Sequence, residues 1–245
     1  MKLYNLRNKQ LASQYVAIEF LKQIKDRPDA VLGLATGSTM TDLYTQLSDL
    51  LNANHVDVSG VRTFNLDEYV GAGPKDLHSY YAYMHQRFFN QNERWNEENI
   101  YIPSGIAEDL DQEAKHYEAA LKSVGQPDIQ ILGIGENGHI GFNEPGTPFD
   151  SQTRVVDLTP STMHANSVHF KHSEDVPKQA LSMGLSSIMR AKRIILLAFG
   201  DKKIDAIQRL VNGETTEDLP ASILHNHDNV EIIVDDVIYQ ALNNN

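Results

Sequence analysis

Short apolar runs alternate with stretches of helical spacing along nearly the whole chain, and most of the runs end in polar segments that carry glycine. Residues 30–35 (AVLGLA), 61–66, 129–134, 193–199 and 230–234 read as buried strands. Between them, residues 39–51, 79–89, 109–124 and 202–211 read as helices, and a short helix closes the chain. Strands that alternate with helices pack as a parallel sheet covered by helices on both faces. The expected fold is therefore α/β and mostly parallel, with ligands held outside the carboxyl ends of the strands. Four segments then converge on one crevice: 36–39, 67–71, 135–146 and 200–203. No Pro/Gly/Ser-rich linker divides the sequence, so one domain is expected over residues 1–245. Residues 158–183 lack a clear period and read as a lid or an irregular insertion.

Composition narrows the function classes. With 41% hydrophobic and 22% charged residues, the chain has the core material of a globular protein. Its net charge of −12 repels phosphodiester backbones and anionic lipid, so neither a nucleic-acid nor a membrane partner is expected. A local positive pocket for a small anion stays open. The lack of cysteine removes disulfides, thiolate metal sites, iron–sulfur clusters and cysteine nucleophiles, and fits a reducing cytoplasm. The longest clean apolar run, residues 194–199, is far short of the roughly 20 residues that span a bilayer. No apolar stretch of signal-peptide length follows the start MKLYNLRNKQ.

Four segments carry candidate chemistry. Ala35-Thr36-Gly37-Ser38-Thr39 offers glycine-freed backbone N–H groups and hydroxyls before a helix, which suits an anion. It lacks the spacing and lysine of a Walker A loop, and it also fits a plain N-capped helix. Asn65-Leu66-Asp67-Glu68-Tyr69 sets two adjacent carboxylates at a strand end, suited to acid–base work or to a solvated turn. The stretch 133–146, GIGENGHIGFNEPG, is the most specific, with five glycines in fourteen residues around one His and two Glu. Its His139 has the side chain that titrates nearest neutrality, and Glu144 stands five residues on to orient it or hold its charged form. Gly200-Asp201-Lys202-Lys203 places lysines at a helix start, to bind phosphate as point charges or simply to face solvent. His164, His169 and His172 match no strong zinc spacing, and His225-Asn226-His227 reads as a loop, so no metal is expected.

Together these segments resemble the glucosamine-6-phosphate deaminase family, in its short bacterial form. LGLATGST, FNLDEYVG, ILGIGENGHIGFNEPG, SQTRVVDLTPSTMHANS, VPKQALSMG and LAFGDKK follow one another in family order from about residue 32 to 235. The resemblance implies a Rossmann-like fold and a cofactor-free enzyme of amino-sugar catabolism, including that of N-acetylglucosamine. Its substrate is a small sugar phosphate: glucosamine 6-phosphate and water become fructose 6-phosphate and ammonia. His139 then matches the acid–base of pyranose ring opening, Asp67 the base that moves the C2 proton to C1, and Glu144 the partner of the His. Asn137 falls at a ring-opening position where some relatives carry Asp. Gly37, Ser38, Thr39 and Lys203 match phosphate contacts.

Three departures from the family pattern stand out. Asn137 supplies no charge, which leaves Glu144, with Glu136 nearby, to support His139. After Ala165-Asn166-Ser167 the family places a phosphate-binding Arg, and here Val168 stands instead. Losing such an ion pair costs on the order of 1.5–3 kcal/mol unless His169, Lys171 or Arg154 replaces it. Val156 occupies a place where long family members use Lys to bind N-acetylglucosamine 6-phosphate between subunits. That points to no such activation and to a monomer or small homo-oligomer. Galactosamine 6-phosphate as substrate, and a non-catalytic sugar-phosphate sensor, are the competing readings. The acidic chain starts almost directly on the α/β pattern, without the helix-turn-helix such a sensor would carry.

Overall fold

The chain begins with β1 (Lys2–Asn5), α1 (Lys9–Asp26), β2 (Val31–Leu34), α2 (Thr41–Ala53), β3 (Arg62–Asn65) and β4 (Asp67–Tyr69). It continues through α3 (Tyr80–Arg87), β5 (Ile100–Tyr101), α4 (Leu110–Val124), β6 (Ile129–Gly133), β7 (Arg154–Asp157) and α5 (Pro160–Asn166). The last third holds β8 (Gln179–Ser182), α6 (Leu185–Ile188), β9 (Ile194–Ala198), α7 (Ile204–Asn212), β10 (Val230–Val234) and α8 (Asp236–Asn243). These elements come from a computed structural model that describes residues 1–167, 170, 172 and 175–244.

Seven strands form one parallel sheet in the order β1-β10-β9-β6-β2-β3-β5. Every residue of β2, β9 and β10 is buried, which requires cover on both faces of the sheet. On α1 the buried Ala12, Val16, Ala17, Phe20 and Ile24 recur at helical spacing and pack with Leu43, Leu47 and Leu51 of α2 in the main core. Asn8 starts α1 by accepting the Leu11 N–H at 2.9 Å.

The strand order fixes where a ligand can bind. From β2 the chain moves outward through β3 to β5, then returns to the other side of β2 with β6 and moves outward again to β9 and β10. The direction reverses between β2 and β6, so the connections leaving these strands part and open a crevice at their carboxyl ends. Those connections are the loops from 35 and from 134, two of the segments singled out in the sequence.

A second sheet, β4-β8-β7, is antiparallel, with Asp67 opposite Ser182 and Tyr69 opposite Ala180. The strand pattern of the sequence did not suggest it. Only Leu66 separates β3 from β4, and its backbone bonds both ways: its N–H to Leu34 of the large sheet, its carbonyl to the N–H of Met183 beside the small one. Asp67 and Glu68 therefore lie within a strand rather than in a solvated turn. The stretch expected to be irregular contains α5 and β8. Val168, His169 and Lys171 lie outside the described residues.

Candidate active site

A cavity of about 720 Å³ opens at this reversal. Its wall includes Gly37, Ser38, Thr39, Asp67, Asn137, His139 and Lys203, drawn from all four segments. Of the eight residues matched to catalytic or phosphate-binding roles, Glu144 alone stays out of the wall; it stands behind His139.

One end of the wall is made for an anion. Gly37 has φ +105°, a left-handed turn that glycine adopts without strain. Its carbonyl accepts from the Tyr83 hydroxyl at 2.8 Å and from the Met40 N–H at 3.0 Å, while the Ser38 carbonyl accepts from Lys9 Nζ at 2.8 Å. Among the described residues no acceptor meets the N–H of Ser38 or Thr39, and α2 begins just beyond. Oxygens held away and N–H groups left over make an anion cradle. Lys203, in the turn that leads into α7, adds a cation. Burial holds its amine below the usual range; Glu136 opposes that pull and the charge of Lys202 adds to it.

Asp67 is 6% exposed. Burial, and then the neighbouring Glu68 carboxylate, push its carboxyl up to about 8. Glu68 is 1% exposed and accepts the N–H groups of Tyr69, Tyr80 and Tyr81 at 2.8–2.9 Å, which pins the start of α3 to β4. Burial raises Glu68 to about 7 against the pull of those three donors. Tyr80, held in this way, lines the cavity and donates to the Tyr69 hydroxyl at 2.9 Å.

The glycine-rich loop delivers His139. Its ring lies flat against Gly135, where an added Cβ would come within 2.3 Å of the imidazole, so only glycine lets the ring sit there. Asn137 Nδ2 donates to Glu144 Oε2 at 2.6 Å. A carboxylate only accepts, so the amide is oriented and its Oδ1 faces His139 Nδ1 at 2.8 Å. That assigns the proton to Nδ1 and leaves Nε2 as the nitrogen free to take one. Glu144 Oε2 lies 3.5 Å from Nδ1. Burial works to raise the Glu144 carboxyl, but the hydrogen bond and charge of His139, with Thr162 and Asn137, outweigh it and hold the group at about 2.

Other expectations shift. Glu136 does not support His139; it is exposed and turns to Lys202 at 3.8 Å. Arg154 does not reach the cavity. It donates to Asn143 Oδ1 at 3.0 Å, and Asn143 in turn bonds the Ile140 and Met183 carbonyls, bracing the glycine-rich loop against β8. His225 and His227 bond the Leu210 and Ala191 carbonyls, and His225 belongs to a 3₁₀ turn rather than a loop. Among the described residues no three His, Asp or Glu side chains group to hold a metal. The sequence reading passed over Tyr80, Thr159 and Thr162. The two threonines lie in a stretch that carried the family resemblance, yet a threonine at a helix start reads as a cap and gives no catalytic signal of its own.

Residues 8–233 match the family described as glucosamine-6-phosphate isomerases/6-phosphogluconolactonase. The chain belongs to this family. A glucosamine-6-phosphate deaminase of Staphylococcus haemolyticus (strain JCSC1435) is 69% identical over 242 residues, covering 99% of this chain and all of the relative. A solved monomeric glucosamine-6-phosphate deaminase superposes with TM-score 0.96 at 43% identity, over 98% of this chain and 100% of its own. A 6-phosphogluconolactonase from Trypanosoma cruzi shares the family fold, with TM-score 0.78 and 19% identity over 98% and 96% of the two chains. The mostly parallel Rossmann-like α/β architecture is thus common to the family, while the whole-length identity lies on its deaminase side.

Proposed function

We propose that the protein converts glucosamine 6-phosphate and water into fructose 6-phosphate and ammonia, with no cofactor. The observation that carries this reading is the shared cavity: a buried carboxyl, Asp67, and a carboxylate-backed imidazole, His139, face the space that the 37–39 cradle and Lys203 also line. An acid–base pair of groups beside a phosphate site suits an aldose–ketose rearrangement of a sugar phosphate. The deaminase relatives point to the amino sugar.

The steps follow from the residues. The cradle and Lys203 anchor the phosphate. His139 Nε2 takes the proton of the C1 hydroxyl and returns it to the ring oxygen, opening the pyranose to an aldehyde; the Glu144 carboxylate stabilises the positive charge His139 holds in between. The C2 proton, now acidified by the aldehyde, passes to Asp67. The C2–H electrons form the C1=C2 double bond while the aldehyde oxygen takes a proton given up by the C2 ammonium, which becomes an amine with a free lone pair. Asp67 then delivers its proton to C1, which leaves an iminium at C2. Water adds there and ammonia departs, giving the ketone. The C–N bond is broken by water, so the balance is hydrolytic as well as isomerising.

The high pKa of Asp67 fits this cycle. Below about pH 8 the free group holds a proton and cannot act as a base. The substrate's ammonium at C2 favours the charged carboxylate. Asp67 is therefore ionised by the molecule it acts on, and so readied to accept the C2 proton. A steady-state assay with glucosamine 6-phosphate and no added cofactor, following both products, tests the reading. Equal yields of ammonia and fructose 6-phosphate are expected; a clear preference for the galacto epimer would overturn the choice of sugar. We further place the enzyme in the cytoplasm, as a monomer acting in amino-sugar catabolism.

A further inference from the structure

We propose that Thr162 is a positioning residue of this reaction: its hydroxyl fixes the rotation of Glu144 so that the carboxylate faces His139. This rests on the deaminase reading of the site.

The two oxygens of Glu144 have different neighbours. Oε2 meets Asn137 Nδ2 and the His139 ring. Oε1 meets α5: it accepts from the Thr162 hydroxyl, and the Thr159 hydroxyl lies 3.2 Å away. Without the α5 contact nothing among these bonds holds Oε1, and the carboxylate can turn about its last torsion, off the imidazole.

Capping does not explain this arrangement. The helix is capped by Thr159, whose oxygen accepts the Thr162 N–H at 3.3 Å. Thr162 lies in the first turn of the helix, with Leu158, four residues back, ahead of the cap, so its hydroxyl has no helical carbonyl to return to. Here it turns to a carboxylate eighteen residues away in sequence. The Thr159 hydroxyl lies 3.1 Å from Thr162 Oγ1, so the bonds run in a chain, Thr159 to Thr162 to Glu144, in which each strengthens the next. Thr162 is 5% exposed, so bulk water is a poor substitute for its hydroxyl. The same helix presents Ser161, Thr162 and His164 to the cavity. Substrate contact and Glu144 alignment are thereby tied to one element.

The test compares Thr162→Val, of like shape without a donor, with Thr162→Ser, which keeps the donor. Two quantities are read: kcat and KM on glucosamine 6-phosphate, and the Glu144 titration by carboxyl ¹³C NMR, assigned with Glu144→Gln. Thr162→Val is expected to raise the Glu144 midpoint from about 2 by roughly one unit, the loss of one hydrogen bond to a charge. Glu144 stays ionised at neutral pH, so the kinetic effect is one of aim. It is expected as a roughly tenfold or greater fall in kcat, with KM moved less than about threefold. Thr162→Ser is expected to restore both readouts. An unmoved Glu144 midpoint and kcat in Thr162→Val would overturn the proposal, as would a serine variant no better than valine. Should the valine variant fail to fold, Thr162→Ala is read in the same way. Should the wild type yield no fructose 6-phosphate, the deaminase reading fails, and the NMR midpoint still decides whether Thr162 governs Glu144.

Discussion

At the scale of single residues, three carboxyls of the site, two buried and one half-buried, divide by what surrounds them. Asp67 and Glu68 share a short strand and sit high, at about 8 and about 7. Glu144 meets an imidazole, an amide and a hydroxyl and sits at about 2. The signs on stability follow. Asp67 and Glu68 add stability that is full below their ordinary values of 3.8 and 4.5 and fades as pH rises through 7 and 8. Glu144 does the reverse: its contribution is present above 4.5 and is lost as pH falls toward 2. Denaturation midpoints of the free protein should therefore fall from pH 6 to 9, and a flat profile would contradict the Asp67 value. Ligand chemistry offers a sharper check. At pH 7 an unreactive amino-polyol phosphate should release close to one proton on binding, because its ammonium ionises Asp67. Sorbitol 6-phosphate, without the amine, should release almost none; calorimetry in buffers of different ionisation enthalpy reads the difference. Gly135→Ala should leave the fold intact, since the displaced atoms are a side-chain ring, yet cut turnover about a hundredfold by moving His139. Melting temperature and kcat, measured together, separate the two effects.

At the scale of elements, the sequence shows most where burial is two-sided. β2, β6, β9 and β10 are short, mostly apolar runs of strand length, and the structure agrees with each to within two residues. The helices α2, α4 and α7 show by spacing. Elements that escaped notice lack such signals. β1 is an edge strand with only alternate residues partly buried, and β5 has two residues. α1 has a buried apolar face, but the exposed Leu11 and Ile18 on its other side blur the spacing. The small antiparallel sheet was hidden because β4 consists of Asp, Glu and Tyr, stabilised by tertiary contacts rather than strand propensity. The candidate site was more legible than these elements, because glycines cluster where backbone must approach closely and titratable groups stand out among them. The threonines on Glu144 were not, since their role depends on a helix folding back over the loop. A core substitution checks the packing account: Leu47→Ala on α2 removes a fully buried side chain and should cost about 2–5 kcal/mol in denaturant unfolding. A loss under about 1 kcal/mol would mean α2 is not part of the main core.

At the scale of the whole molecule, one topological reversal brings the proposed phosphate cradle after β2 beside the His139 loop after β6, and the small sheet presents Asp67 to the same space. All the groups assigned to the proposed reaction come from one chain, so a solution mass near 27.5 kDa by light scattering should accompany full activity. Activity confined to a larger assembly would contradict this. No helix among the described residues is long and apolar enough to cross a membrane. The central claim is that Asp67, shielded from water, carries one proton from C2 to C1. The direct measurement uses glucosamine 6-phosphate deuterated at C2 and asks where the label goes in the wild type and in Asp67→Asn. The account predicts fructose 6-phosphate that retains part of the deuterium at C1, with turnover lost in the variant. An Asp67→Asn protein as fast as the wild type, or product with no label at C1, would contradict it.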